Sequence, residues 1–240
     1  DLAGGSIPRV RVFYEEDLDS TSVRDIPTGG VAVASPKSGY LIRYERSLMP
    51  KELKEECPIV RTWEFNHARD AMMFDNVSLS PNEHYIIQAL NLINPDIERI
   101  SFVAENSNGG RRWPMVSLQS SQRRVRLSTM GEGVNHILSI VLSLLNAENN
   151  VLLIDEFETG LHYSVQEKLW DIIFMLAEIL NTQVFVTTHS SDCIKSFSQA
   201  NAKEQGMLIR LENRLNGVTP ICYTDNKDIL FAAENSIELR

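Results

Sequence analysis

The chain has 240 residues, 43% hydrophobic and 23% charged, with a formal charge of −9. That is enough for one large domain or two small ones. It argues against a broadly basic nucleic-acid surface, and no apolar run approaches the roughly 18 residues of a membrane span. Asp1 to Val10 lacks the charged-then-apolar pattern of a secretory leader. Cys57, Cys193 and Cys222 are too few and too scattered for a disulfide framework or a zinc site. A cytoplasmic protein without membrane contact is the expectation.

Asp1 is not methionine, and the segment after it reads like a strand inside a domain. Processing and a longer polypeptide both stay open. Arg9 to Tyr14 (RVRVFY) alternates as a strand does, and Gly30 to Arg46 reads as a hairpin around Ser35-Pro36-Lys37-Ser38-Gly39. Residues 1–60 are therefore expected to form an antiparallel, β-rich part of the lobe. Pro50 to Glu56 is charged and reads as a short helix or a loop.

Residues 61–127 read as an insertion of helix and strand. From Asn82, the spacing of Ile86, Ile87, Leu90 and Ile93 predicts a helix. Ile100 to Ala104 predicts a strand, and the Gly-Gly pair in Asn106 to Arg112 a loop or hairpin tip. Val116 to Leu118 and Arg123 to Leu127 could pair across it. Arg111-Arg112 and Arg123-Arg124-x-Arg126 are either solvated arginines at strand ends or phosphate contacts.

Residues 128–240 carry stronger periodicity. Val134, Ile137, Leu138, Val141, Leu144 and Leu145 predict an amphipathic helix, broken at Asn149-Asn150. Val151 to Ile154 has the continuous apolar run of a buried parallel strand. Ser164-Val-Gln-Glu167 predicts a capping box opening a helix that buries Val165, Leu169, Ile172, Ile173, Leu176 and Leu180. Gln183 to Thr188 is a second buried strand, and a helix starts near Asp192. The tail predicts strands at Met207 to Leu211 and Ile221 to Thr224 about an Asn216-Gly217 turn, then a helix from about Lys227. Strand, helix, strand, helix predicts an α/β fold with a mainly parallel sheet and crossover helices. Ligands of such sheets bind beyond the carboxyl ends of the strands.

Asp155 and Glu156 lie at one such end, and His189 at the next. Two adjacent acids leaving an apolar strand are either solvated or compensated by a cation such as magnesium. In the second case Asp155 would hold the ion and Glu156 would deprotonate the attacking water. Leu127-Ser-Thr-Met-Gly-Glu-Gly133 precedes a helix. Its glycines and the hydroxyl of Ser128 suit an anion at a helix N-terminus, or a plain capped turn. Thr159-Gly-Leu-His162 could be a simple connection. His189 could be a structural histidine or a hydrogen-bond donor to a terminal phosphate.

In this order, Ser-x-x-Gly-x-Gly, apolar strand, Asp-Glu, Thr-Gly-Leu-His and Thr-His-Ser resemble the signature, Walker B, D-loop and H-loop series of ABC-type ATPases. The phrases LSTMGEG, LLIDEFETGLH and VFVTTHSSD are similar to those of the SMC, RecF and OLD group, especially its stand-alone and OLD-type members. The resemblance is strong over Leu127 to Asp192, moderate beyond it and weak before it. It implies a P-loop-NTPase-like core that uses ATP and Mg2+. Ser128, Gly131 and Gly133 would contact the γ-phosphate of ATP held by a partner subunit. Asp155 would serve the metal, Glu156 would be the general base and His189 the switch histidine. Gly160 and Leu161 would lie in a D-loop at a dimer interface. Met130 before Gly131 departs from the transporter form of the signature, and His162 stands where many members have aspartate.

A Walker A loop needs a Gly-Lys pair, and none of the 12 glycines is followed by lysine. No Q-loop is identifiable. The expectation is a P-loop half upstream of these residues; otherwise the chain is a non-hydrolysing scaffold or sensor. Asp225 and Asp228 in a polar turn read as solvated, so no Toprim-like nuclease is expected in the tail, and an effector would be a separate chain. The resemblance implies a homodimer or higher homo-oligomer closed around ATP that gates such an effector, plausibly in anti-phage defence. A RecF- or SMC-like repair factor ranks lower, because no sustained heptads are present and the charge gives no sign of nucleic acid.

Overall fold

The computed structural model describes residues 10–15, 58–61, 66–104, 111–202, 205–214 and 217–234. The expected hairpin at Gly30 to Arg46, the segment Pro50 to Glu56, Asn106 to Gly110 and Asn216 lie outside them.

In chain order the elements are β1 (Val10–Glu15), β2 (Ile59–Val60), α1 (His67–Val77), α2 (His84–Leu90), β3 (Ile97–Ala104), β4 (Arg112–Leu118) and β5 (Ser121–Arg126). A 3-10 turn at Leu127–Met130 leads into α3 (Glu132–Leu145). Then come β6 (Val151–Ile154), α4 (Tyr163–Ile179), β7 (Gln183–Thr188), α5 (Ser191–Ala200), β8 (Gly206–Arg214), β9 (Gly217–Tyr223) and α6 (Asn226–Glu234). Two sheets result. The larger runs β2-β6-β7-β1-β8-β9 and the smaller β3-β4-β5.

Neighbours from β2 through β8 pair in parallel, and β9 closes the edge antiparallel to β8. The apolar runs at β6 and β7 become central strands, as fully buried strands must. The segment at Val10 is not part of an antiparallel unit. It enters between β7 and β8, parallel to both. Among the described residues an antiparallel sheet lies at 97–126, with β4 paired to β3 on one side and β5 on the other.

The helix α3 differs from the amphipathic expectation. It buries residues on every face, including Asn135, His136 and Ser143. It lies between the parallel sheet and a layer made of α1, α2 and β3-β4-β5. Its polar residues therefore meet protein, not water. Arg69 of α1 donates to Ser143 Oγ at 3.5 Å, and Ser139 Oγ donates to Asp70 at 3.3 Å. Past the end of α3, Asn146 donates to the Met73 carbonyl at 3.0 Å. The helix ends at Asn146, three residues before Asn149. Asn149 takes a left-handed conformation (φ 57°) and accepts from the side chain of Asn181 (φ 52°) at 3.1 Å, so left-handed asparagines follow both α3 and α4.

The opening of α4 also differs. His162 is the N-cap and its ring accepts from the Ser164 amide, so the expected box at Ser164 starts two residues late. Of the expected apolar face, Leu169, Ile172, Ile173, Leu176 and Leu180 are buried, and Val165 is half-buried against the core. Trp170 sits at its centre, stacked on Phe157 at 4.1 Å and edge-on to Phe197 at 5.2 Å.

Candidate nucleotide-hydrolysis site

Parallel pairing of β6 with β7 sets Ile154 opposite Val186. The two chains therefore leave the sheet together, Asp155-Glu156-Phe157-Glu158 beside Thr187-Thr188-His189-Ser190. Their ends are stitched by five hydrogen bonds. Thr187 Oγ1 donates to Asp155 Oδ1 at 2.6 Å and accepts from the Glu156 amide at 3.0 Å. The Phe157 amide donates to the Thr187 carbonyl at 3.1 Å. Glu158 accepts from Thr188 Oγ1 at 2.5 Å and from the His189 amide at 2.9 Å. Asp155 and Glu156 thus share one sheet edge with His189, which lies 33 residues beyond Glu156 in the chain.

Glu156 has φ 49°, the left-handed region that a non-glycine residue rarely adopts. Such backbone costs on the order of 1–3 kcal/mol and persists where surrounding contacts enforce it. Here the enforcing contacts are the Thr187 hydroxyl on one side and the Thr159 amide on the Glu156 carbonyl on the other. Phe157, fully buried against Trp170, anchors the same loop in the core.

Burial pushes the Asp155 carboxyl above its ordinary range, and the adjacent Glu156 adds to this. The Thr187 hydroxyl, His189 and Arg61, just past β2, act the other way. A divalent cation would offset both raising causes. Among the described residues no three His, Cys, Asp or Glu side chains converge as a metal cage. One carboxylate plus phosphate oxygens and water is the coordination magnesium favours, and Asp155 fits it.

Residues 128–133, at the start of α3, meet the turn that follows this loop through Gly133. Ser128 and Gly131 are exposed, and Gly131 has φ 103° with open space around it. Gly133 is different. It is buried, and a Cβ there would come within 2.2 Å of the Gly160 carbonyl oxygen. Its glycine identity serves close contact between the start of α3 and the turn at Gly160. Gly160 is exposed with φ 71°, whereas Leu161 is buried beneath Gly133. Farther along α3, His136 Nε2–H donates to the Phe157 carbonyl at 3.2 Å. Burial holds its ring at about 4, against an ordinary 6.5, so the imidazole is neutral.

Sequence reasoning assigned no role to Thr187, Glu158, Phe157 or His136. Each lies inside a quoted phrase or a predicted helix, but only the pairing of β6 with β7 and the seat of α3 reveals what it touches.

Paired acids at a parallel strand end, a glycine turn packed on the start of α3 and a histidine at the end of the next strand suit the site of an ATPase domain. Residues 49–194 match the family model described as AAA ATPase domain, and the chain belongs to that family. A Helicobacter pylori (strain ATCC 700392 / 26695) protein named ATP/GTP phosphatase is 31% identical over 121 residues, covering 49% of this chain and 31% of that protein. The chain thus spans about a third of the length of the curated relative it matches. Among solved structures, an Smc head bound to the C-winged helix domain of ScpA aligns with TM-score 0.49 and 12% identity, covering 71% of this chain and 56% of that one. An SMC ATPase studied for ATP-driven dimerization and DNA-stimulated activation aligns with TM-score 0.49 and 11% identity, covering 70% and 98%. Among the described residues no helix is long and apolar enough to cross a membrane.

Proposed function

We propose that the chain is the signature and Walker B half of an ATPase that hydrolyses Mg-ATP between two copies and uses the cycle to gate a separate effector in anti-phage defence. The observation that carries the hydrolytic part is the five-bond stitch that holds Asp155, Glu156 and His189 at one strand edge. Asp155 would hold magnesium, which supplies charge neutralisation at the phosphates when bound. Glu156, fixed in a strained backbone position, would take the proton of the attacking water. His189 would hydrogen-bond the terminal phosphate. Exposed Ser128 and Gly131 would reach the nucleotide of the facing copy, with Gly160 beside them. The P-loop would come from residues outside this sequence.

Steady-state ATP hydrolysis by the intact protein tests this. Glu156→Gln should retain ATP and lose turnover by about 10²-fold or more. Turnover at the wild-type rate would sink the assignment.

A second reading, contact with nucleic acid, has one observation in its favour. On the outer face of the small sheet, register aligns Arg99, Ser117 and Arg124 in one row and Ser101, Met115 and Arg126 in the next, while Ile100, Phe102 and Val116 are buried on the other face. Arg111 and Arg126 both lie over the Trp113 ring, at 5.5 and 5.0 Å. If these arginines meet phosphodiesters, binding of a short DNA duplex should weaken steeply with salt, and charge reversal at Arg99, Arg124 and Arg126 should abolish it. No salt-dependent binding would remove this reading.

A further inference from the structure

We propose that Glu158 is a positioning residue for the switch histidine, acting through the backbone of His189. The inference rests on the hydrolytic reading above and assigns a role to a third acid in the same loop. Glu158 uses both carboxylate oxygens on β7: Oε2 accepts from Thr188 Oγ1 at 2.5 Å and Oε1 from the His189 amide at 2.9 Å. Hydrogen bonds to an ionised carboxylate are shorter and about twice as strong as neutral ones. Thr188 is fully buried, and its oxygen also accepts from the Ser190 amide at 3.1 Å. Ser190 in turn caps α5 by accepting from the Cys193 amide. The backbone on both sides of His189 is therefore referenced to Glu158, two residues beyond Glu156 on a loop pinned by Phe157. The distance between the general base and the histidine is set by a covalent link of two residues and these two hydrogen bonds. Glu158 itself contacts neither phosphate nor water in this role.

The test has a nucleotide-free arm and a kinetic arm, both on the intact protein. With carbon-13-labelled histidine and no nucleotide, the His189 imidazole signal should shift or broaden in Glu158→Ala, while those of His136 and His162 stay in place. In the kinetic arm, Glu158→Ala should lower kcat by about 10- to 100-fold with KM for ATP held within about two-fold. In a His189→Ala background the same change should cost nothing further, because both act through one group. Glu158→Gln, which keeps one acceptor for the His189 amide, should fall between wild type and Glu158→Ala in both arms, and it serves if Glu158→Ala does not fold. An unmoved His189 signal in both variants, or losses that multiply in the double variant, would overturn the proposal. If the wild type hydrolyses no ATP, the hydrolytic reading fails, and the nucleotide-free arm still decides whether Glu158 sets the histidine.

Discussion

Asp70 is a buried acid on α1. It is 6% exposed, accepts from Ser139 at 3.3 Å, and burial pushes its carboxyl up to about 6 from an ordinary 3.8. The folded protein therefore binds its proton more tightly than the unfolded chain does. Stability falls as pH rises from about 4 through 6, and the penalty persists above that window. Asp70→Asn should stabilise the protein at pH 8 by at most about 3 kcal/mol, and the gain should vanish by pH 4. Urea titrations at the two pH values measure this, and an equal effect at both would show that charge burial is not the cause. At this scale the placement of Asp155, Glu156 and His189 at strand ends was legible, because the Asp155-Glu156 pair and His189 each directly follow a run read as a buried strand. Thr187 and Glu158 were not, since a hydroxyl and an acid in loop phrases look solvated until pairing of β6 with β7 places them 2.5–3.0 Å from their partners.

The helix α3 binds the loop that follows β6 in its own chain. Gly133 packs on Gly160, and His136 holds the Phe157 carbonyl. A methyl group at position 133 has nowhere to go without moving backbone, so Gly133→Ala should destabilise by about 1–3 kcal/mol, as overpacking does. Thermal unfolding checks it; an unchanged melting temperature would contradict the contact. The position of α3 was legible from its apolar spacing, but its burial on all faces was not. Periodicity reports the sheet-facing stripe, whereas Ser139 and Ser143 look solvent-facing until α1 supplies Asp70 and Arg69. α1 itself was missed. Its charged and polar residues (His67, Arg69, Asp70, Asp75, Asn76) mask an apolar face of Ala71, Met73, Phe74 and Val77. The start of α4 was misplaced because a histidine cap lacks the usual Ser or Asp signature.

At the scale of the molecule, the parallel order of β6 and β7 was legible from two apolar runs separated by a helix. The entry of β1 between β7 and β8 was not, because a six-residue alternating strand carries no information about a partner more than 170 residues away. Ser128 and Gly131 are exposed and Glu156 is half-buried, and the proposed function has the first two meet the nucleotide of a facing copy. Mixing two inactive variants tests that claim most directly. Ser128→Arg spoils the signature and Glu156→Gln the base, so each intact protein alone should hydrolyse almost no ATP. In random mixed dimers one site of two is assembled from wild-type halves, and activity should return to about a quarter of the wild-type rate. A mixture as inactive as its components would contradict a site completed across two copies.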